Sequence, residues 1–462
     1  MHKKNTMKKL ILFFVLPLLL VSCDNTDGKN ILTKSSDWTF KSNAQIKDST
    51  LFLSGNQSVA GYNKEYKNFE LELECRTSDG AIGGIWFHSD NSQPEISKGY
   101  EVLINNNIEP IEWRKSGSLS AVRNFGKRIA DNNNWFPVKI QVSGNLINVW
   151  INDVWITEYI EPEKPYRTEK YAGRILSEGG LAFISYSDSP MEFRNISINS
   201  LSADNKISTD IDEQEDDIIR LQQENYPLID SHVHLKEGWT KAQAAAVSRK
   251  YGITYGIAPN CGLKFPVTKD ADIYTFLDTM QQQPFLLPMQ AEGREWLTLF
   301  TEEAMSKFDY RFTDALTWTD NKGRRQRIWI DEETFIDDKQ QFMDMLVDRA
   351  VTIISNEPIN IFVNPTFIPD RLMPEYEVLW TTERMQRIVD ACVKHNVALE
   401  INNRYKIPSA RLIKQAKASG VKFTFGTNNA DPNIGKMEYS IEMIKECGLT
   451  PEDLYIPPSK NI

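Results

Sequence analysis

The sequence predicts two folded halves, an all-β jelly roll followed by an α/β barrel of distorted TIM type. Three observations carry this prediction. Between Trp38 and Leu201 short alternating segments recur, separated by turn residues such as Ser78-Asp79-Gly80 and Glu178-Gly179-Gly180. From Tyr226 onward the rhythm changes to strand-then-helix, the signature of parallel βα units. Between the halves lies a polar, acidic stretch without strand pattern, residues 202–225.

The totals agree. A chain of 462 residues exceeds one hydrophobic core, and 41% hydrophobic with 25% charged residues is globular composition. A net charge of −10 with no basic stripe argues against nucleic acid as a partner. Aromatics at 11% supply core packing and, in an exported protein, surfaces on which sugars stack.

The N-terminus points to the compartment. Lys3, Lys4, Lys8 and Lys9 precede the apolar run Leu10–Val21, which is too short to span a bilayer and reads as a signal peptide, residues 1–23. The ending Leu20-Val21-Ser22-Cys23 resembles the lipobox of bacterial lipoproteins. That resemblance implies lipidation at Cys23, a tether over residues 24–35, and a membrane-anchored protein of the cell envelope, facing the periplasm or the surface of the outer membrane. Cys75, Cys261, Cys392 and Cys447 lack CxxC or disulfide spacing and read as buried thiols.

In the first half, residues 36–201, the segments are FELELEC (69–75), AIGGIWFHS (81–89), YEVLINN (100–106), FPVKIQVSG (136–144), LINVWIND (146–153), GGLAFISYS (179–187) and MEFRNISI (191–198). Asn152-Asp153 marks a hairpin tip. Trp86 and His88, two apart on one strand, are expected to share a face. This ordered set resembles the 3-keto-disaccharide hydrolase domain, a concanavalin-like jelly roll of exported bacterial proteins. The resemblance implies a carbohydrate substrate oxidised at C3. Its ketone acidifies the C2 proton, so a base removes that proton and the C1 substituent leaves by β-elimination, with water adding afterwards. The chemistry wants a base, Glu101 or His88, and a cation for the enolate oxygen, Arg114, Lys115 or a metal. Trp86 is the expected sugar platform.

In the second half, residues 226–462, the strand candidates are PLIDSHVH, 253–260, 285–292, 309–316, 360–367, 397–403 and 422–429. Helices are expected over 240–252, 338–356, 381–396 and 409–420. Polar residues end nearly every strand, where barrels build their sites. His232 and His234 alternate on one strand, so both imidazoles face one point and suit a divalent metal, Zn, Mn or Fe. Asp230 is expected to orient one of them. Arg294, just past a strand end, is placed to contact substrate, and Arg324-Arg325-Gln326-Arg327 to grip an anion.

DSHVHL, MQAEG, KFDYRFTDA and LEINN resemble, in order, strands of the polymerase-and-histidinol-phosphatase superfamily of metal-dependent phosphoesterases. The resemblance implies metal ligands at His232, His234 and Glu292, with Asp314, Asn364 and Asn428 as oxygen donors or substrate contacts. It places Glu400 as base or ligand and Asn402 beside it. Ala258-Pro259-Asn260-Cys261, Asn364-Pro365 and Gly426-Thr427-Asn428-Asn429 depart from that pattern, which argues against a trinuclear site. The reading is a hydrolase or lyase of glycan catabolism. The alternatives are a metal-dependent phosphoesterase carrying a sugar-binding jelly roll, and a non-catalytic glycan-binding lipoprotein.

Overall fold

A computed structural model describes residues 30–90, 98–109, 112–202, 206–208, 213–320 and 322–461. The signal peptide and Cys23 lie outside the described residues. No helix among the described residues is long and apolar enough to cross a membrane.

The first half is an antiparallel β-sandwich. Its strands are β1 (Trp38–Lys47), β2 (Thr50–Tyr66), β3 (Phe69–Thr77), β4 (Gly83–Ser89), β5 (Tyr100–Ile104), β6 (Phe136–Ser143), β7 (Leu146–Ile151), β8 (Val154–Ile160), β9 (Gly179–Ser185) and β10 (Met191–Ser200). Strand order is β5-β4-β9-β2-β10-β3-β6-β7-β8, with β1 on β2. The long β2 serves both layers: Leu51–Leu53 pairs with β10, while Ser58–Tyr62 pairs with β9. Alternation decides the faces. In β3, Phe69, Leu71, Leu73 and Cys75 are buried between the layers, and Glu70, Glu72 and Glu74 turn away from that core. The β7–β8 tip falls at Asn152-Asp153, both left-handed (φ 50° and 62°), as a two-residue hairpin requires.

The second half is an α/β domain with a curled parallel sheet. Its strands are β11 (Ile229–Val233), β12 (Thr254–Ile257), β13 (Asn260–Cys261), β14 (Phe285–Leu286), β15 (Met289–Ala291), β16 (Arg311–Thr313), β19 (Ile361–Phe362), β20 (Ala398–Asn402) and β21 (Phe423–Gly426). A small hairpin, β17 (Thr317–Thr319) and β18 (Arg325–Arg327), stands apart from the sheet. Ala258-Pro259 interrupts one long strand to give β12 and β13; β14 and β15 likewise continue one another. Since β12 pairs with β14 and β13 with β15, the sheet meets itself and seven strands form a ring. The expected helices stand at Lys241–Tyr251, Lys339–Asn356, Thr382–His395 and Ala410–Ala418. Those at 241 and 382 end on left-handed Gly252 and Asn396.

The halves share their cores. The helix Glu213–Gln223, inside the acidic stretch, sends Ile218 and Leu221 into the barrel's hydrophobic cluster and Ile219 into that of the sandwich. The sandwich segment 113–128 lies across the barrel. Gly126 N–H donates to Thr254 Oγ1 (3.0 Å), Asn124 N–H to Gln222 Oε1 (2.9 Å) and Arg128 N–H to Ser459 Oγ (2.9 Å). Trp113 packs with Ile229, Leu286, Tyr310, Phe312 and Ile361 in one cluster, alongside Tyr455 and Ile456.

Candidate active site on the sandwich and polar cluster in the barrel

On β4 and β5, Trp86 stands directly opposite Glu101. Together with Val59, Ala182 and Ile184, the Trp86 side chain forms an apolar patch separate from the sandwich core. Glu101 is 6% exposed, so its carboxylate needs polar partners. Tyr186 supplies one, donating its hydroxyl to Glu101 Oε1 at 2.6 Å while accepting from Trp86 Nε1 at 2.9 Å. Gly84 makes the room: a Cβ there would lie 2.3 Å from Glu101 Oε1. Arg174 stacks its guanidinium over the Trp86 ring, 4.0 Å from the centroid, and donates to Gly99 O at 3.2 Å, so Trp86, only 5% exposed, is not the open sugar platform expected of it. Burial, opposed by the charge of Glu101, lowers the Arg174 pKa. Burial and the Glu101 charge push the Tyr186 phenol well above its ordinary value, so it stays a proton donor at neutral pH. Arg114 lies within the field of Glu101, with Glu112 gripping it through Nε (2.9 Å) and Nη2 (2.7 Å).

Residues 25–199 match the 3-keto-alpha-glucoside-1,2-lyase-like domain family. No curated protein matches the chain. Among solved structures, a candidate glycosyl hydrolase from Parabacteroides distasonis is 17% identical, covering 36% of this chain and 89% of its own, with a TM-score of 0.33. The carbohydrate-binding module CBM66 from Bacillus subtilis is 16% identical over 36% of this chain and 96% of its own, with a TM-score of 0.27. A histidinol phosphate phosphatase from Lactococcus lactis, complexed with zinc, L-histidinol and phosphate, is 14% identical, covering 48% of this chain and 95% of its own, with a TM-score of 0.35.

Two expected residues of this carbohydrate-active domain stand elsewhere. His88 does not share a face with Trp86, because the register shifts between Phe87 and Ser89 and His88 adopts a left-handed backbone (φ 55°). Its ring packs edge-on against Phe69 and Phe87, Nε2 meets Lys67 O (2.9 Å) and Nδ1 accepts from Ser177 N–H (3.2 Å). Burial lowers its pKa to about 4. Neither nitrogen is free to act as the base. Lys115 is 2% exposed and its ammonium donates to the carbonyls of Asn107 (2.6 Å), Glu112 (3.1 Å) and Glu109 (3.3 Å). It closes its own loop and does not reach Glu101. Sequence reasoning missed Tyr186 and Arg174. Tyr186 was within reach of it, since Ala182, Ile184 and Tyr186 continue one period-2 face toward Trp86. Arg174 lies in a loop that has no such periodicity.

In the barrel, His232 and His234 bring their rings to 5.2 Å, centroid to centroid. His232 Nδ1 faces Glu400 Oε1 at 2.6 Å and His234 Nδ1 faces Ala258 O at 2.9 Å. Each Nδ1 thus donates to an oxygen, and both Nε2 atoms are buried without a partner among the described residues. Glu292 accepts from Asn260 (2.7 Å) and Gln290 (3.0 Å), and burial with the nearby Asp314 charge raises its pKa. Asp314 accepts from Asn364 Nδ2 at 3.1 Å. Asn364 and Asn428 are both left-handed (φ 50° and 47°), and Asn428 Nδ2 donates to Asn364 Oδ1 at 3.3 Å.

Several expected roles change here. Glu400 is fully buried, and its second oxygen accepts from Asn364 N–H (2.7 Å) and Asn402 Nδ2 (3.1 Å). It positions His232 and is closed to substrate. Asn402 is equally buried, spent on Asn364, Glu400 and Tyr405. Asp230 does not orient a histidine ring; it accepts from the His232 and Thr427 backbone N–H groups. Arg294 donates to Glu357, Thr313 Oγ1 (2.9 Å) and the Asp314 carbonyl, and none of its hydrogen bonds goes to the histidine cluster. Arg324 and Arg327 are neutralised locally, by Asp320 in the hairpin turn and Glu333 in the turn that follows. The two free Nε2 atoms suit a metal ion. Among the described residues, however, no group of three His, Cys, Asp or Glu side chains is disposed to hold one.

Proposed function

We propose that the sandwich cleaves 3-keto-glycosides by elimination, with Glu101 as the base. The observation that carries this reading is the Trp86–Tyr186–Glu101 chain of hydrogen bonds beneath Arg174. Trp86 holds the site together from beneath, its indole N–H on Tyr186 and its ring under the Arg174 guanidinium. Glu101 takes the C2 proton of the 3-keto sugar, the C2 electron pair forms the enolate, and the C1–O bond breaks as the C1 substituent departs with a proton. Arg174, with Arg114 also in the field of Glu101, is the cation that steadies the enolate oxygen. Tyr186 gives its proton to the leaving group and regains one from the newly protonated Glu101 along the hydrogen bond that joins them. Water then adds across the C1–C2 double bond, its oxygen to C1 and a proton to C2.

The test is turnover of a 3-keto-disaccharide by wild type and Glu101→Gln. The amide keeps the shape and cannot take a proton, so kcat should fall at least ~100-fold, the low end for a lost general base. Equal rates would sink the assignment.

A metal-dependent reaction in the barrel is the second reading, favoured by the two unpartnered Nε2 atoms. Elemental analysis decides it. Near-stoichiometric Zn, Mn or Fe that disappears in His232→Ala/His234→Ala supports it, and a metal-free wild type overturns it. The lipobox-like Leu20-Val21-Ser22-Cys23 supports anchoring in the cell envelope. Cys23→Ser should then release the protein from the membrane fraction.

A further inference from the structure

The helix Lys339–Asn356 packs along the barrel and carries Arg349 toward β17. There Arg349 Nη2 donates to Thr317 O (3.1 Å) and the guanidinium lies over the Trp318 ring, 4.8 Å from its centroid. Arg294 reaches the same place from the loop after β15. Between them opens a cavity of about 540 Å³ lined by both arginines, Thr352, Glu357, Asp344 and Asp348.

The charges around this cavity do not balance. Asp344 is paired with Arg384, Asp348 with Arg387 and Glu357 with Arg294. Glu357 also accepts from Trp296 Nε1 at 3.0 Å. Each lining carboxylate thus has its own arginine, and Arg349 forms no ion pair among the described residues. Among the described residues, the Nε–H groups of Arg294 and Arg349 are both buried without an acceptor, as is the nearby Thr317 hydroxyl. Burial and the neighbouring Arg294 charge together lower the Arg349 pKa to about 10. A buried donor without an acceptor costs ~1–3 kcal/mol, and two like charges side by side add to that. An oxyanion between the guanidiniums removes both costs, because Arg presents a planar fork of N–H groups to carboxylate or phosphate.

We propose that this cavity is a binding site for a small oxyanion-bearing molecule, held between Arg294 and Arg349. Its volume is far above the ~30 Å³ share of one water and within the ~300–1,000 Å³ of small-molecule sites, so it admits more than a bare ion. A sugar acid and a sugar phosphate share the required chemistry. The site is separate from Glu101 and does not depend on the reaction assigned to the sandwich.

The experiment is calorimetric titration of the full chain with glucuronate and, separately, with inorganic phosphate. Three proteins are compared: wild type, Arg349→Met, which keeps a stem over Trp318, and Thr352→Trp, which fills the exposed side of the cavity and keeps both arginines. Saturable binding of at least one probe by wild type, weakened tenfold or more in both variants, is the expected result. Glucuronate alone would assign a carboxylate ligand; phosphate alone would assign a phosphorylated one. Two results overturn the proposal: no saturable binding of either probe at ~10 mM, beyond the millimolar range of weak complexes, or binding that Thr352→Trp leaves intact. Should Arg349→Met fail to fold, Thr352→Trp decides.

Discussion

The Tyr186 hydroxyl bridges Glu101 and Trp86, donating to the carboxylate at 2.6 Å and accepting from the indole N–H at 2.9 Å. One group therefore sets the position of both the proposed base and the indole that carries Arg174. Tyr186→Phe strands both partners, a loss of ~1–3 kcal/mol for each buried group left unmatched. Stability by chemical denaturation should fall by that order. Turnover of a 3-keto-glycoside should fall ~100-fold or more if the phenol also delivers the leaving-group proton. A leaving group that needs no protonation, such as a nitrophenol, should recover part of the rate. No recovery would assign Tyr186 to positioning alone.

Gly84 offers a cleaner probe of the same carboxylate. An added methyl would sit 2.3 Å from Glu101 Oε1 and 2.9 Å from its Cγ, so the side chain must swing away from Tyr186. Gly84 has an ordinary strand backbone, without positive φ, so alanine introduces no backbone strain of its own. The expected outcome is a folded protein with kcat reduced far more than KM is raised. Unchanged kinetics would mean that the Glu101 position is irrelevant to turnover.

His88 predicts an acid limit to stability. Its folded pKa is about 4 against an ordinary 6.5, lowered chiefly by burial. Between those values the unfolded chain binds more protons than the folded one, so stability rises with pH across the window and is lost as pH falls from 6.5 toward 4. The full difference is roughly 3 kcal/mol at most by linkage. Denaturation midpoints measured from pH 4 to 7 should show this slope in wild type and a flatter one in His88→Gln. Equal slopes would remove His88 as the cause.

The halves and their element types were legible because burial leaves a period in the sequence. The alternation in FELELEC and the Asn152-Asp153 turn give β3 and the β7–β8 tip directly. The strand-end polar residues of the barrel were legible for the same reason. What escaped was any feature set by backbone irregularity or by long-range packing. The bulge at His88 rotates a side chain that strict alternation puts beside Trp86. Lys115 reads as a free cation until its own loop folds over it. Arg294 follows a strand end in sequence, yet Thr313, Asp314 and Glu357 engage it away from the histidines. Glu400, and not the adjacent-in-sequence Asp230, meets the His232 ring, because β20 and β11 are brought together through β21.

Trp113 provides the test of whether the halves form one cooperative unit. Its indole packs with barrel residues Ile229 and Phe312, its Nε1 donates to Asn225 Oδ1 at 3.0 Å, and its neighbour Arg114 sits in the field of Glu101. Trp113→Ala empties the space between the domains and should cost ~3–5 kcal/mol, the range for a buried aromatic truncated to alanine. Because Ile218, Ile219 and Leu221 tie both cores to one helix, wild type should melt in a single calorimetric transition. In Trp113→Ala the sandwich and barrel should separate into two transitions, the lower one shifted by several degrees. Two resolved transitions already present in wild type would show that the shared helix and the Trp113 contact do not couple the domains.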